Sequence, residues 1–228
     1  MVEERRVRGA GLTRKRVLAS ALEIADAEGL KAVSFRRLAT HLKVTPMALY
    51  RYVESKEALL DGLGDLILAE LELPPSQADD WREQLRTTAR SLRSVLAAHP
   101  AVVPLVLTRS LLTPAAMRTA DSMLGLLRRA GFAPQEAVLL YQQLARLLLA
   151  LVMLENESGS QSTDAEQREN QRVARITFET LSPDEYPHVV EAAPHLASVH
   201  DPAEAFEAGV DLLIAGLDRR LEGTTSST

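Results

Sequence analysis

The chain has 228 residues, a net charge of −5 and no cysteine. The absence of cysteine excludes a disulfide scaffold, thiol catalysis and cysteine-based zinc or redox sensing. Its length suits one large or two modest domains, and its overall charge argues against a generally basic nucleic-acid binder.

The charge is unevenly distributed along the chain. Residues 1–56 carry 12 basic and 6 acidic side chains, a net +6, whereas the remainder carries 14 and 25, a net −11. The cationic part can neutralise phosphates, and the acidic part should repel DNA and favour one docking orientation. The longest apolar run, 147–154, is too short to cross a bilayer, so we expect a cytoplasmic protein that does not enter a membrane.

The N-terminal residues predict a flexible arm over 1–12 and then a helix over 13–28. Gly29 follows this helix as a C-terminal stop. Residues 34–56 predict a helix-turn-helix, in which Ser34 can cap the first helix. Thr45 can cap the second, with Pro46 at its first position, where a missing N–H costs nothing.

The second helix of this motif has one inward and one outward side. Leu49 and Val53 face inward. The outward side chains, ringed by cations, suit reading of a major groove; they are Pro46, Met47, Tyr50 and Arg51.

Beyond the motif, the pattern predicts helices throughout and no period-two alternation, so the fold class is all-α. Ser55 caps a helix that ends near 73, where the sequence L-P-P-S-Q marks a domain boundary. A polar linker is predicted over 157–163. We therefore expect a helix-turn-helix domain over 13–73 and a larger effector-binding and dimerisation domain over 79–222. Its helices are predicted at 81–98, 102–112 (broken by Pro104), 114–131, 134–155, 164–180, 183–198 and 202–222.

Three stretches carry a family resemblance: A-L-E-I-A-D-A-E-G-L, S-F-R-R-L-A and V-T-P-M-A-L-Y-R-Y-V-E-S-K-E-A-L-L-D. They resemble the DNA-binding domain of the tetracycline-repressor (TetR) family of transcriptional regulators over residues 13–73. The rest is more loosely similar to the effector domain of the tetracycline-binding members, through a helix led by Trp81, the pair Gly131-Phe132, L-E-N at 154–156 and A-F-E-A-G-V-D-L-L-I-A-G-L-D-R-R-L at the C-terminal end.

The resemblance implies a DNA-binding site on the motif. Arg36 matches a base-contacting arginine, and Tyr50 is expected to contact phosphate. Lys56 lies in the first turn of the helix capped by Ser55, where a phosphate would meet both an ammonium group and the helix dipole. The predicted DNA-binding residues are Ser34, Phe35, Arg36, Thr45, Pro46, Met47, Tyr50, Arg51, Tyr52 and Lys56.

A single helix-turn-helix domain reads only a short half-site, so we expect a homodimer on palindromic double-stranded DNA. Apolar stripes on the predicted helices at 134–155 and 202–222 can supply the interface, and the resemblance implies that these helices form a four-helix bundle between subunits. Part of each stripe can instead belong to the core of its own chain. The predicted interface residues are Val138, Leu144, Leu151, Phe206, Val210, Leu213, Ile214 and Leu217.

The middle helices are predicted to enclose a cavity for a small organic effector. Tetracycline-binding relatives hold a magnesium chelate with two histidines and an asparagine, and Glu72 and Thr88 stand where the first histidine and the asparagine would fall. We therefore expect a lipophilic effector and no metal or cofactor. The predicted ligand-binding residues are Glu72, Thr88, Leu92, Leu107, Met117, Tyr141, Arg146 and Met153.

The sequence contains no nucleophile elbow, glycine-rich phosphate loop or clustered acid pair, so we do not expect an enzyme. A ligand-responsive repressor is the leading hypothesis. A small-molecule-binding or catalytic helical protein that binds no operator is the alternative from another class, and an activator or a ligand-independent repressor also stays open. Binding to a palindromic duplex separates the first two.

Overall fold

A computed structural model describes residues 12–73, 80–108, 112–160, 164–196 and 201–225. These ranges contain eleven α-helices and no strand, which confirms the predicted all-α fold. Most of the predicted arm lies outside them. The helices are α1 Arg14–Glu28, α2 Phe35–Leu42, α3 Pro46–Leu49, α4 Lys56–Ala69, α5 Trp81–Ala98, α6 Val103–Thr108, α7 Pro114–Ala130, α8 Pro134–Ser160, α9 Asp164–Glu179, α10 Pro187–Leu196 and α11 Pro202–Thr225.

Hydroxyl caps start three of the first four helices. The side-chain oxygens of Thr13 and Ser34 each accept the N–H three residues on at 3.2 Å, and that of Ser55 does so at 3.0 Å. These three caps were predictable because a cap is a local interaction. Thr45 stands at the cap position of α3 but makes no capping hydrogen bond, so that prediction is wrong, although Pro46 does begin the helix.

Helix α4 packs closely on α1 within residues 12–73, called the head below. A Cβ atom on Gly62 would lie 2.6 Å from Leu18 Cδ2, so only glycine allows this approach without movement. Buried apolar side chains fill the space around the contact. Helix α4 ends at Ala69, four residues before the predicted end, and the chain leaves the helix ahead of Pro74, which disfavours helical conformation in the residue before it.

The head also contacts the rest of the chain through a histidine. His99, which follows α5, places its Nδ1 2.8 Å from the Asp26 carboxylate of α1. Helix α4 packs on α7, where the Asp65 carboxylate accepts the backbone N–H of Ala115 at 2.7 Å. Asp65 thereby caps α7 from outside, because Thr113 at the cap position makes no capping hydrogen bond.

Helix α11 is joined to α5 by three ion pairs. Three arginines spaced four residues apart on α5 share one face of that helix. They bind carboxylates on α11 in the pairs Arg82–Asp218 (3.0 Å), Arg86–Asp211 (2.8 Å) and Arg90–Glu207 (2.8 Å). The hydrogen bond from Arg90 lowers the pKa of Glu207. Such partly exposed pairs add little stability each, and their main effect is to fix how α11 lies on α5.

Helices α8 and α10 also differ in their bounds from the prediction. Helix α8 continues to Ser160, so the predicted polar linker is helical over 157–160, while 161–163 lie outside the described residues. Extending a long helix by one turn costs little once the helix is nucleated, even with polar residues. Helix α10 begins at Pro187, four residues later than predicted.

One described helical segment, Pro134–Leu154, is long and apolar enough to cross a membrane by length and composition, with a mean hydropathy of 1.8. Such a signal is weak, because core helices of soluble proteins pass the same test. Residues of α8 such as Leu144 and Val152 are buried in the protein core, which accounts for part of its apolar composition.

We predict that Gly62→Ala destabilises the fold, because the new methyl group overlaps the buried Leu18 side chain and forces it to move. Overpacking of this kind costs about 1–3 kcal/mol. Gly223→Ala is the matched control, since a Cβ atom at that α11 position meets nothing within 4 Å. Urea denaturation followed by circular dichroism should show a loss for Gly62→Ala alone. Equal midpoints for the two variants would contradict the close-packing argument.

Candidate nucleic-acid interface and ligand cavity

The helix-turn-helix is formed by α2 and α3. Lys43 makes the turn in the left-handed conformation, at φ +56°, and the Val44 N–H donates to Ala39 O at 2.9 Å. Helix α3 has only four residues, too few to persist alone in water. Its position depends instead on Leu49 and Val53, whose side chains are buried as predicted.

An aromatic stack fixes the exposed end of α3. The rings of Phe35 and Tyr50 lie with centroids 4.4 Å apart and planes 4° from parallel. Tyr50 keeps 47% of its surface exposed, whereas Phe35 is half-buried. The stack restricts the Tyr50 ring and leaves one side of it open to solvent.

The structure divides the predicted DNA-binding residues into two groups. Ser34, whose hydroxyl caps α2, is half-buried, as are Phe35 and Tyr52. Met47, at 78% exposure, protrudes furthest of the large apolar side chains on the motif. The exposed members are Arg36, Thr45, Pro46, Met47, Tyr50, Arg51 and Lys56.

Neighbouring arginines on α2 have different surroundings. Arg37 binds the Glu28 carboxylate at the end of α1, with its Nε 3.0 and 3.1 Å from the two oxygens. That hydrogen bond lowers the pKa of Glu28. Arg36 makes no ion pair within the part of the chain that the structure describes, so its guanidinium remains available to a ligand outside the chain.

A cavity of about 190 Å³ lies between α4, α5, α6, α7 and α8. Its wall is almost entirely hydrocarbon, and no charged side chain contributes to it. The lining residues are Leu68, Leu71, Thr88, Leu92, Val106, Ala116, Thr119, Met123, Tyr141, Leu144, Ala145, Leu148 and Leu149.

Three predicted ligand-binding residues, Thr88, Leu92 and Tyr141, lie on this wall, and their role in binding stays a prediction. Four others do not line it. Glu72 lies exposed beyond the end of α4, where its backbone N–H donates to Ser91 Oγ at 2.8 Å. Met117 and Arg146 are exposed on the outer sides of their helices, and Met153 is half-buried away from the wall. The Leu107 side chain lies outside the described residues.

Sequence reasoning missed most of the lining residues. Leu144, Ala145 and Leu148 stand three, four and seven positions after Tyr141, which places them on the same helix face. That spacing was a usable signal for α8. Leu68 and Leu71 at the end of α4 had no such signal, because only the packing of α4 against α6 and α7 brings them to the cavity.

Helices α8 and α11 expose several apolar side chains, which are together called the α8/α11 face. Leu212 is the most exposed, at 75%, and the others are Leu139, Leu147 and Leu154. Val138 is also exposed, but it stands nine residues before Leu147 and so lies on the opposite side of α8.

The predicted dimer residues differ in their exposure, and their role in a dimer stays a prediction. Of the predicted set only Val138 is exposed, and Leu151 and Leu213 are half-buried. The remaining five are buried within their own chain and have little surface left to contact a second copy: Leu144, Phe206, Val210, Ile214 and Leu217. The alternative of an intrachain core applies to those five, because the most regular stripe of a helix packs inward.

The described residues contain no group of three or more histidine, aspartate or glutamate side chains that could hold a metal ion. Two histidines have carboxylate partners instead. His99 pairs with Asp26, and His41 Nε2 lies 3.0 Å from Glu23 Oε2.

Known proteins resemble this chain over nearly its whole length. Residues 17–63 match the family of bacterial regulatory proteins called tetR, and residues 73–221 match the tetracyclin repressor-like C-terminal domain. The tetracycline repressor protein class C of Escherichia coli is 31% identical over 212 residues, covering 91% of each chain. The HTH-type transcriptional repressor DrrR1 of Streptomyces coeruleorubidus is 38% identical over 128 residues, which are 56% of this chain and 47% of that protein, about half its length.

A solved structure agrees in fold. The TetR family protein ActR of Streptomyces coelicolor, in complex with actinorhodin, superposes with a TM-score of 0.82 at 32% identity, covering 91% of this chain and 96% of that one. The match extends across the helix-turn-helix and the helices around the cavity. The chain therefore belongs to the TetR family of DNA-binding, helix-turn-helix transcriptional regulators, as its sequence motifs predicted.

Proposed function

We propose that this protein is a repressor that binds a palindromic operator as a homodimer and releases it when a small uncharged effector occupies the cavity. Relatives named as repressors support repression, rather than activation, of transcription. ActR, which has been solved with actinorhodin and with (S)-DNPA, supports control by a small molecule.

The observation that carries the proposal is that one helix reaches both sites. Helix α4 begins at Lys56, beside the helix-turn-helix, and its far end carries Leu68, with Leu71 just beyond it, into the cavity wall. Fourteen residues of α-helix span about 20 Å. Helix α1 packs on the same helix at Gly62, so a displacement of α4 by an effector moves the rest of the head with it.

The energetic requirement is a difference in affinity. An effector shifts the equilibrium only if it binds the form with the wrong head spacing more tightly than the operator-binding form. Couplings of this type commonly amount to about 1–3 kcal/mol.

On DNA, the exposed residues of the head take different roles. Arg36 reads a base edge through its free guanidinium, and Met47 and Pro46 make apolar contacts in the major groove. Tyr50 and Lys56 bind phosphates, so they supply affinity and register without reading sequence.

The proposed dimer uses the α8/α11 face. Its exposed leucines form an apolar surface of the kind that marks protein contacts. The three arginine–carboxylate pairs hold α11 on α5 and so keep Leu212 pointing outward. In a dimer these leucines are buried, which accounts for the apolar composition of α8 without a membrane.

The proposed function is tested by selecting the DNA sequences that the protein binds. Full-length protein should select, from a pool of random duplexes, sequences with two inverted half-sites, and enrichment of no symmetric sequence would contradict operator binding. On the selected duplex, Arg36→Ala should relax the preference at one base position and weaken binding by about 1–3 kcal/mol, measured by fluorescence anisotropy.

The matched control for Arg36→Ala is Arg168→Ala, which removes the same charge from an exposed position on α9. It should leave operator affinity unchanged. Equal affinity of Arg36→Ala and the wild type would remove Arg36 from the base-reading role, while leaving the selection result intact.

We predict that Phe35 acts on DNA binding through Tyr50. Phe35→Leu keeps an apolar side chain but loses a stack worth about 0.5–1.5 kcal/mol, so Tyr50 is no longer held against phosphate. Affinity should fall alike for selected and random duplexes. Tyr50→Phe keeps the stack and removes only the hydroxyl, and the double variant should bind nearly as well as the weaker single variant. Additive losses in this cycle would show that Phe35 acts independently.

We predict that Leu212→Glu gives monomers, because it places a charge in the centre of the proposed interface, where an unpaired charge is strongly unfavourable. Leu212 is the suitable probe, since its exposure lets the variant chain fold. Leu112→Glu, at another highly exposed leucine outside the face, is the control and should remain dimeric. Sedimentation velocity measures both, and an intact Leu212→Glu dimer would place the interface elsewhere.

A further inference from the structure

Three of the residues that line the otherwise hydrocarbon cavity carry a hydroxyl group, and two of these hydroxyls are already engaged in hydrogen bonds. The Thr88 hydroxyl donates to the Gln84 carbonyl at 2.9 Å, and the Thr119 hydroxyl donates to the Ala115 carbonyl at 3.0 Å. Each carbonyl stands four residues earlier in the same helix, so these bonds persist whatever occupies the cavity.

The third hydroxyl belongs to Tyr141 and has no such bond. Within the described residues the phenol has no hydrogen-bond partner, and it is not among the fully enclosed polar atoms. It therefore keeps contact with space that water or an effector can enter. A tyrosine with one apolar side and a free hydroxyl is suited to orient a ligand in a mainly apolar pocket.

We propose that Tyr141 is the polar specificity determinant of the cavity, and that the effector is an uncharged, mainly hydrocarbon molecule with an oxygen that accepts the Tyr141 hydrogen bond. This inference rests on the proposed function, because it assumes that the effector binds in this cavity. It names the chemistry by which the site distinguishes an effector from a pure hydrocarbon of the same shape.

The surroundings of Tyr141 decide the direction of the hydrogen bond. Burial raises the pKa of the phenol, which keeps it protonated and a donor at neutral pH. The threonine hydroxyls have already given their protons to backbone carbonyls. A ketone, quinone, ether or ester oxygen thus finds one free donor in the wall, and that donor is Tyr141.

The same wall disfavours charged effectors. No lysine, arginine, aspartate or glutamate lines the cavity, so a buried ionic group would have no counter-charge, and its desolvation would oppose binding. A hydrated metal chelate meets the same obstacle, because the wall offers it no carboxylate or imidazole ligand.

Indane and 1-indanone are the probes for this inference. They share a bicyclic frame and differ by one carbonyl oxygen. A bicyclic molecule suits a cavity of about 190 Å³, since an apolar cavity of about 150 Å³ already binds benzene. Isothermal titration of the full-length wild type and Tyr141→Phe with each probe forms a double-difference cycle.

In the wild type the phenol binds the indanone carbonyl, so removing the hydroxyl should lower the affinity for 1-indanone relative to indane. A neutral hydrogen bond corresponds to about a twofold to twelvefold change in that ratio. Affinity for indane itself should not fall in Tyr141→Phe. Thr119→Val is the matched control, because it also removes a wall hydroxyl, one that is already engaged, and should leave the ratio unchanged.

A spectroscopic readout keeps the test independent of how well the variant folds. The carbonyl stretching frequency of 1-indanone bound to the wild type should lie below its value in a hydrocarbon solvent, as expected for an accepted hydrogen bond. An unshifted frequency, or an indanone-to-indane ratio that is equal in wild type and Tyr141→Phe, overturns the role of Tyr141 and leaves the proposed function standing. Failure of both probes to bind the wild type overturns the cavity as an effector site, and the inference with it.

Discussion

The close packing of α1 on α4 at Gly62 is the constraint on which the rest of the structure depends. The Leu18 side chain lies directly against the backbone of Gly62, so α1 cannot shift along α4 without losing that contact. Three residues further along, α4 is tied to α7, because the Asp65 carboxylate accepts the Ala115 N–H, while the buried Thr113 hydroxyl has no hydrogen-bond partner among the described residues. A helix held against both α1 and α7 transmits displacement better than it absorbs it, which suits an element that joins a cavity to a DNA-reading surface.

Ion pairing within the head then determines which of its basic side chains remain available to bind DNA. Arg37 is occupied by Glu28, and His41 faces Glu23, so part of the positive charge of the head serves its own fold. Arg36 and Lys56 lie exposed, one on the first motif helix and the other at the start of α4. Counting basic residues along the sequence gives the sign of the surface, but only the pairing seen in the structure separates the cations that can bind phosphate from those that cannot.

The sequence was a good guide to most features set by local interactions. The caps at Ser34 and Ser55, and the full extent of α5, follow from residues within four positions of each helix end, although the predicted cap at Thr45 makes no hydrogen bond. Properties set by packing between distant segments could not be predicted from the sequence in the same way. The regular stripe that suggested a dimer surface on α11, with Val210 and Ile214 as examples, is the stripe that packs inward, and the exposed Leu212 falls between its members. Regular helical spacing identifies a buried face, but it does not say whether the same chain or a second copy buries it.

Helix α8 links the proposed functions of the two sites. Tyr141 and Leu148 face the cavity, whereas Leu139 and Leu147 face outward on the same helix. An effector that moves the inner side therefore moves the proposed dimer surface, in addition to α4. Coupling between binding sites is reciprocal, because each ligand must change the affinity of the other by the same factor. In the proposed homodimer, a contact on α8 would consequently also set the affinity of the cavity for its effector, and the free energy of dimerisation would help to determine how much effector is needed to release DNA.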